Sequence, residues 1–405
     1  MKKILALLLA MCMVFALAAC GESKAPEQPA ETPAAETPAE APADETAEEP
    51  AEATDMRVAM ITDYGDITDQ SFNQTTYEAC KAYCEENGVD FTYFKPAGDN
   101  TSDRVAMIEK AVDEDYNVIV LPGFAFAEAI AKVQDEYPEV KFVALDVSEF
   151  DIMSAFENEK DAHLSENVYS AVYQEELCGY MAGYAAVKMG YKHLGFLGGM
   201  AVPAVVRYGF GFVQGVDAAA KELGIENEVA VEYVYGNQFF GDADITAYMD
   251  TWYGEKGVEV VFAAGGGIFS SAAEAAAKVD GKLIGVDVDQ AGIINSAYGE
   301  GMTVTSAMKG LAATVKHMLS EIAAGNFANY GGKVENLGLV SGDDVTMNYV
   351  QLPLESTIWN DGFTQDNYKE LVKAMFDGTI TVESISDASA MPEHTVTVNE
   401  YGNIK

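Results

Sequence analysis

The sequence predicts an α/β protein of two similar lobes, each built around a parallel sheet. Two observations carry that expectation. Short apolar runs of strand length alternate with amphipathic runs of helix length, the pattern of βαβ units. The alternation occurs as two successive series within about 350 residues, Met56 to Lys405, too long for one small core and suited to two. The strands are almost wholly apolar, as they are when helices cover both faces of a sheet.

In the first series Arg57 to Thr62 reads as a strand, followed by a helix over Phe72 to Asn87 that Gly88 ends. Val89 to Phe94 is strand again, with a helix from about Thr101 to Glu114. The cycle continues through Val118 to Leu121, a helix near Ala127 to Tyr137, and Phe142 to Leu145. An Ala- and Gly-rich helix is expected from about Ser170 to Met189. The second series then runs through a strand at Leu194 to Leu197, a helix at Tyr208 to Leu223 and a strand at Val229 to Tyr235. A helix around Ile245 to Glu255, a strand at Val258 to Ala263, a helix near Ser270 to Lys278 and a strand at Leu283 to Val286 complete it. The remainder crosses back to the first lobe with a helix near Ala307 to Ala323 and returns to finish the second. The expected division is 56–165 plus 304–330 for one lobe and 166–303 plus 331–405 for the other.

The chain before Met56 is of another kind. Lys2 and Lys3 precede an uncharged apolar run from Ile4 to Ala19, too short for a comfortable membrane span and flanked like a cleavable leader. Leu17-Ala18-Ala19-Cys20 resembles the lipobox of bacterial lipoproteins, which implies a leader over 1–20 and a lipid on Cys20. Residues 21–55 are Ala, Glu, Pro and Thr with almost no large apolar side chain, a composition that cannot offset its ordering entropy and is expected to form a disordered tether. Its prolines and mutually repelling carboxylates extend it to a contour on the order of 100 Å.

Net charge is −41, and about −33 remains on residues 56–405 once the tether's ten surplus acids and the two leader lysines are set aside. So acidic a surface excludes nucleic acid, whose phosphates require a basic one, and leaves membrane attachment to the lipid. Of five cysteines, Cys80, Cys84 and Cys178 lie in the globular part, an odd number that argues against a disulfide framework. Cys80 and Cys84, one helical turn apart, are expected on one buried face. The four His residues follow no metal-ligand spacing and no Gly-x-Ser-x-Gly elbow is present, so neither a metal, a cofactor nor catalysis is expected.

In parallel sheets ligands bind beyond the carboxyl ends of the strands. After the first strand come Asp63, Tyr64, Gly65 and Asp66, leading into Ser71-Phe72-Asn73-Gln74, and the fourth strand ends in Asp146. The second series offers Phe239-Phe240, Ala264-Gly265-Gly266-Gly267 and Gly285-Val286-Asp287-Val288-Asp289-Gln290. Aromatic faces can stack a ligand and carboxylates can accept from its hydroxyl or N–H groups, which suits a neutral polyhydroxylated or heteroaromatic molecule. Ordinary roles compete: a strand-end Asp also caps the next helix, glycines turn the chain and Phe239 or Phe240 can fill core.

Taken in order, Asp63 with Ser71-Phe72-Asn73-Gln74, Glu175-Glu176-Leu177-Cys178-Gly179-Tyr180-Met181-Ala182-Gly183, Gly195-Phe196-Leu197-Gly198-Gly199 and Gly209-Phe210-Gly211-Phe212-Val213-Gln214-Gly215 resemble the basic membrane protein family. The similarity continues in the Gly265 turn, Gly285-Val286-Asp287 and Thr305-Ser306-Ala307-Met308-Lys309. That family comprises nucleoside-binding lipoproteins that serve ABC importers. The resemblance implies the type I periplasmic-binding-protein fold, two Rossmann-like lobes joined by three crossovers. It also implies an extracytoplasmic, non-enzymatic protein with an ABC permease and ATPase as partners; for the oligomeric state a tethered monomer is the default expectation. Carried over by position, Phe72 and either Phe239 or Phe240 would sandwich a purine base and Asp63 and Asp146 would hold its edge. Gly265 or Gly266 would offer backbone and Asp287 and Lys309 would hold ribose; Asn73 and Tyr64 are further candidates, Tyr64 standing where relatives commonly carry a smaller polar residue. A sensory receptor subunit, or a binding protein for a sugar or another heteroaromatic metabolite, is the competing expectation.

Overall fold

The computed structural model describes residues 55–405, so the leader, Cys20 and all but the last residue of the tether lie outside the described residues. The first series is β1 (Arg57–Ile61), α1 (Phe72–Asn87), β2 (Asp90–Phe94), α2 (Thr101–Asp113), β3 (Val118–Pro122), α3 (Ala127–Val133), β4 (Lys141–Leu145), α4 (Glu149–Ser154) and β5 (Val168–Tyr173). The second is α5 (Glu175–Lys188), β6 (His193–Gly198), α6 (Pro203–Leu223), β7 (Ala230–Tyr235), α7 (Ala243–Thr251), β8 (Val260–Ala264), α8 (Phe269–Ala276), β9 (Lys282–Asp287), α9 (Ala291–Tyr298) and β10 (Thr303–Lys309). There follow α10 (Leu311–Ala323), β11 (Lys333–Leu337), β12 (Val350–Gln351), α11 (Gln365–Phe376) and β13 (Thr397–Asn403).

One sheet has the order β11-β5-β4-β3-β1-β2 and the other β12-β10-β9-β8-β6-β7-β13. All pairings are parallel except that of β10 with β12. Strands β1, β3, β4, β6, β8 and β9 are buried along nearly their whole length, which is why they read as unbroken apolar runs. Local chemistry sets several helix ends. Asp69 caps α1, accepting from the Ser71, Asn73 and Gln74 N–H groups at 2.9, 2.9 and 3.0 Å, and Gly88 closes it at φ 66°. Ser148 and Asp151 form a capping box on α4.

The chain crosses between sheets after Tyr173, after Lys309 and after Leu337. Three expected boundaries therefore move by about a strand. Val168–Tyr173 belongs to the first sheet, not the second lobe; Thr303–Lys309 belongs to the second; and Lys333–Leu337 returns to the first. The helix expected from Ser170 is strand β5 followed by α5, and that expected from Ala307 is β10 followed by α10. At both junctions strand passes to helix through a single residue, Gln174 or Gly310, so only a short polar step, Gln174-Glu175-Glu176 or Lys309-Gly310, separates the two apolar runs.

Helices α5 and α6 lie backbone against backbone. A Cβ on Gly179 or Gly183 would meet the Tyr208 or Phe212 carbonyl at 2.3 Å, and one on Gly211 or Gly215 the Glu176 or Tyr180 carbonyl at 2.1 Å. The glycines in those two sequence runs are thus packing features. One hydrophobic core extends through both lobes, and a separate cluster lies on the far face of each sheet. Cys80, Cys84 and, on α5, Cys178 are buried in the shared core, all as free thiols. Burial pushes Cys84 up to about 12 and leaves it an inert apolar side chain. Among the described residues no helix is long and apolar enough to cross a membrane, and no cluster of potential metal ligands occurs.

Candidate functional site

The carboxyl ends of both sheets open onto one cavity of about 970 Å³ between the lobes. Its wall contains Asp63, Tyr64, Phe72, Asn73 and Asp146 from the first lobe. From the second it contains Phe239, Phe240, Gly265, Gly266, Asp287 and Lys309. Every residue singled out for ligand binding in the sequence is therefore brought to one place.

On its wall is Lys309, the last residue of β10, with its side chain 2% exposed. Its ammonium lies 2.5 Å from Asp146 Oδ2, 3.2 Å from Glu175 Oε1 and 3.7 Å from Asp287 Oδ1. Burial alone would make the lysine easier to deprotonate, but Asp146, Glu175 and Asp287 together raise its pKa, so it is a fixed cation. Burial pushes the Asp146 carboxyl up to about 6 against the pull of Lys309. Its Oδ1 is buried without a hydrogen-bond partner, whereas Oδ2 is spent on the lysine. Asp146, expected to hold the base edge together with Asp63, is ion-paired with Lys309.

Glu175 opposes the same burial with Arg207, whose Nε donates at 2.6 Å, and with Lys309, and its pKa falls below the usual carboxylate range. Asp287 accepts from Ser71 Oγ of the other lobe at 2.6 Å and from the Tyr208 hydroxyl at 3.3 Å. Gln290 Nε2 donates to the Gln70 carbonyl at 3.1 Å, a second bond across the cleft.

Asp63 forms a second polar centre. Its Oδ1 accepts the Tyr64 and Gly65 N–H groups at 2.7 and 2.8 Å. Its Oδ2 faces Gly123, where a Cβ would come within 2.4 Å, so this position at φ 125° needs glycine on both counts. Burial raises the Asp63 carboxyl to about 6, opposed by those two N–H groups and by Arg104. Asn73 donates through Nδ2 to Asp69 Oδ2 at 3.2 Å, and its Oδ1 is buried without a partner.

The aromatic residues divide by exposure. Phe240 is 62% exposed, whereas Phe239 lies against Gly199 and Gly265 and stacks on Tyr64 of the opposite lobe, with centroids 5.8 Å apart and planes 23° from parallel. Phe72 holds the Lys309 ammonium 4.7 Å from its ring centre. Sequence reasoning passed over Tyr208, Gly123 and Phe124 on the wall and Ser71 and Glu175 as supports. Gly123 and Phe124 follow directly on β3, so the strand-end rule reaches them once the strand is extended to Pro122. Tyr208 is inside α6 and carried no such signal.

Several known proteins are similar to this chain. The ABC transporter nucleoside-binding protein BmpA of Lactococcus lactis subsp. cremoris is 27% identical over 351 residues, 82% of this chain and 90% of its own. The CD4+ T-cell-stimulating antigen of Listeria monocytogenes is 29% identical over 298 residues, 69% of this chain and 77% of its own. Among solved structures, an ABC transporter solute-binding protein from Aeropyrum pernix superposes with a TM-score of 0.61 at 22% identity, covering 80% of this chain and 87% of that one. One from Conexibacter woesei gives 0.60 at 21% identity, covering 81% and 99%. The fold is therefore the periplasmic-binding-protein fold of type I expected above. The family model described as ABC transporter substrate-binding protein PnrA-like, or Bmp, matches residues 56–377, both lobes and the cleft between them, and the chain belongs to this non-enzymatic substrate-binding family.

Proposed function

We propose that this protein is a lipid-anchored, extracytoplasmic receptor that captures a purine nucleoside between its lobes and delivers it to an ABC permease and ATPase. The observation that carries the ligand reading is one cavity holding two separate polar centres, Asp63 with Asn73 and Lys309 with Asp146 and Asp287, together with aromatic rings from both lobes. A nucleoside has the matching division into a flat heteroaromatic base and a polyhydroxylated sugar. In this reading Phe72 and Phe239 flank the base, with Tyr64 beside Phe239, and Asp63 and Asn73 take its edge. Asp146, Asp287 and Lys309 take the ribose hydroxyls, and Gly265 and Gly266 supply backbone.

The energetics are adequate. Stacking contributes about 1–3 kcal/mol per base on an aromatic face, and micromolar affinity needs about −8 kcal/mol in all. A ligand touching both lobes favours the closed state, which is the form a permease can distinguish from the empty receptor. The name of the Lactococcus relative supports a nucleoside.

The test is isothermal titration of unfolded and refolded residues 55–405 with adenosine, guanosine, inosine, cytidine, ribose and adenine. Micromolar or tighter binding of a purine nucleoside, with ribose and adenine much weaker, is expected. No heat with any of them would remove the nucleoside. For the anchor, Cys20→Ser should release the protein from the membrane unlipidated, and lipid persisting on that variant would refute it.

A further inference from the structure

Ser71 stands at the N-cap of α1, the position where a serine hydroxyl ordinarily accepts from the free N–H groups of the first turn. Here its side chain caps nothing. Asp69 does the capping from two residues earlier, accepting from the Ser71, Asn73 and Gln74 N–H groups. The Ser71 hydroxyl is thereby left to cross the cleft, where it donates to Asp287 Oδ2 at 2.6 Å. Ser71 is fully buried and is not part of the cavity wall, so its hydroxyl meets the other lobe and not the ligand space.

The residue before it makes the second cross-cleft bond. Gln70, in the left-handed region at φ 57°, accepts through its carbonyl from Gln290 Nε2 at 3.1 Å. Gln290 is buried and held within the second lobe: its Oε1 accepts the Val286 N–H at 2.9 Å, and its own N–H donates to Ser306 Oγ at 3.2 Å. Two adjacent residues of the first lobe thus engage the two ends of one turn of the second, Asp287 to Gln290. A Cβ on Gly267 would lie 3.7 Å from the Asp69 carbonyl, so the same loop also packs on the turn after β8.

We propose that Gln70-Ser71 and the Asp287–Gln290 turn form a latch that stabilises the closed lobes whether or not ligand is bound, with Ser71 as its positioning residue.

The chemistry makes Ser71 the stronger member. A hydrogen bond to a carboxylate is stronger than one between neutral amides, and burial strengthens it further. Asp287 also accepts from Tyr208 at 3.3 Å and faces Lys309 at 3.7 Å. Both partners belong to the second lobe, on α6 and β10, so the carboxylate is already in place for the incoming hydroxyl. Such a latch prolongs the enclosure of any ligand, because release requires the lobes to part.

The latch rests on the reading that the lobes part and close around a ligand, and the experiment keeps it apart from the nucleoside. Spin labels on Ala97→Cys and Ala247→Cys, exposed positions on opposite lobes, report the width of the cleft in residues 55–405. Cys80, Cys84 and Cys178 are buried and do not compete for the label. Without ligand the otherwise wild-type protein should show a closed and an open spacing, and Ser71→Ala should lower the closed-to-open ratio about tenfold. In an Asp287→Asn background the same change should lower it by under about threefold, because the two residues act through one bond. An undiminished ratio in Ser71→Ala, or a closed spacing missing from the wild type, would overturn the proposal. So would an equal loss in both backgrounds, which would assign the effect to α1 alone. With guanosine as the probe, Ser71→Ala should release it about tenfold faster, with an association rate within about twofold of wild type. Faster release with unchanged spacings would make Ser71 a ligand contact and refute the latch. A wild type that does not bind guanosine counts against the nucleoside, and the spacings alone then decide the latch.

Discussion

Asp146 and Asp287 end equivalent strands of the two sheets, β4 and β9, in the same left-handed backbone conformation, with φ of 61° and 64°. An L-residue with a Cβ pays roughly 1–2 kcal/mol to stand there, yet both are aspartates and both face the Lys309 ammonium, at 2.5 and 3.7 Å. Gln70 and Asn237, also on the cavity wall, share the positive φ. Such strain persists where surrounding structure holds it, and here the lysine and the cross-cleft Ser71 bond do so. The consequence is that one cation ties the pseudo-symmetric acids of both lobes together beside the crossover at Gly310.

Lys309 is therefore a support of the fold as well as a group of the site. Lys309→Met leaves Asp146, Glu175 and Asp287 facing one another with only Arg207 nearby, and stability should fall by about 3–5 kcal/mol. The loss should be smaller at pH 5 than at pH 7.5, because Asp146 already protonates near 6. Thermal unfolding at both pH values checks this. An equal loss at the two would mean that the variant fails through packing and not through uncompensated charge.

Phe239 and Phe240 are adjacent, and the fold gives them opposite surroundings. Phe239 is backed by Gly199 and Gly265 and stacked on Tyr64, whereas Phe240 is largely in water. Phe239→Ala should weaken nucleoside binding by roughly 2–4 kcal/mol, and Phe240→Ala by under about 1 kcal/mol. Titration of the two variants with the nucleoside bound by the wild type decides the matter. The reverse order would assign the stacking face to Phe240.

Much of this was legible before the structure, and the failures have a common cause. The strand–helix cycle up to Leu145 stands out because each apolar run is bounded by Gly, Asp, Asn or Pro. Strands β5 and β10 vanish into the helices that follow because only Gln174-Glu175-Glu176 and Lys309-Gly310 intervene, too short to read as loops. Strand β13, Thr397–Asn403, is an edge strand with mostly exposed side chains and no apolar alternation to betray it. Strand-end reasoning found Asp63, Asp146 and Asp287 because topology alone puts strand ends at a cleft. It could not find Tyr208, which reaches the site from within a helix. Nor could it place Asp146 with Lys309, since that pair crosses between the lobes.

Asp63 and Asp146 also fix how the ligand-free protein responds to acid. Both carboxyls are raised to about 6 in the folded chain, chiefly by burial, from an ordinary value near 4 when unfolded. Between about pH 4 and 6 the folded state therefore binds more protons than the unfolded state, and these two groups make stability fall as pH rises through that window. Their effect has the opposite sign to that of Glu232, which Lys256, Tyr401 and His193 hold at about 2 despite partial burial, and which favours folding at any pH above its ordinary range. In Asp63→Asn one of the two raised groups is gone. The stability advantage of the wild type over that variant should shrink by roughly 2–3 kcal/mol between pH 4 and pH 7, as read from denaturant unfolding without ligand. A constant difference across that range would show that Asp63 titrates normally, and the account of its burial beneath Gly123 would have to be abandoned.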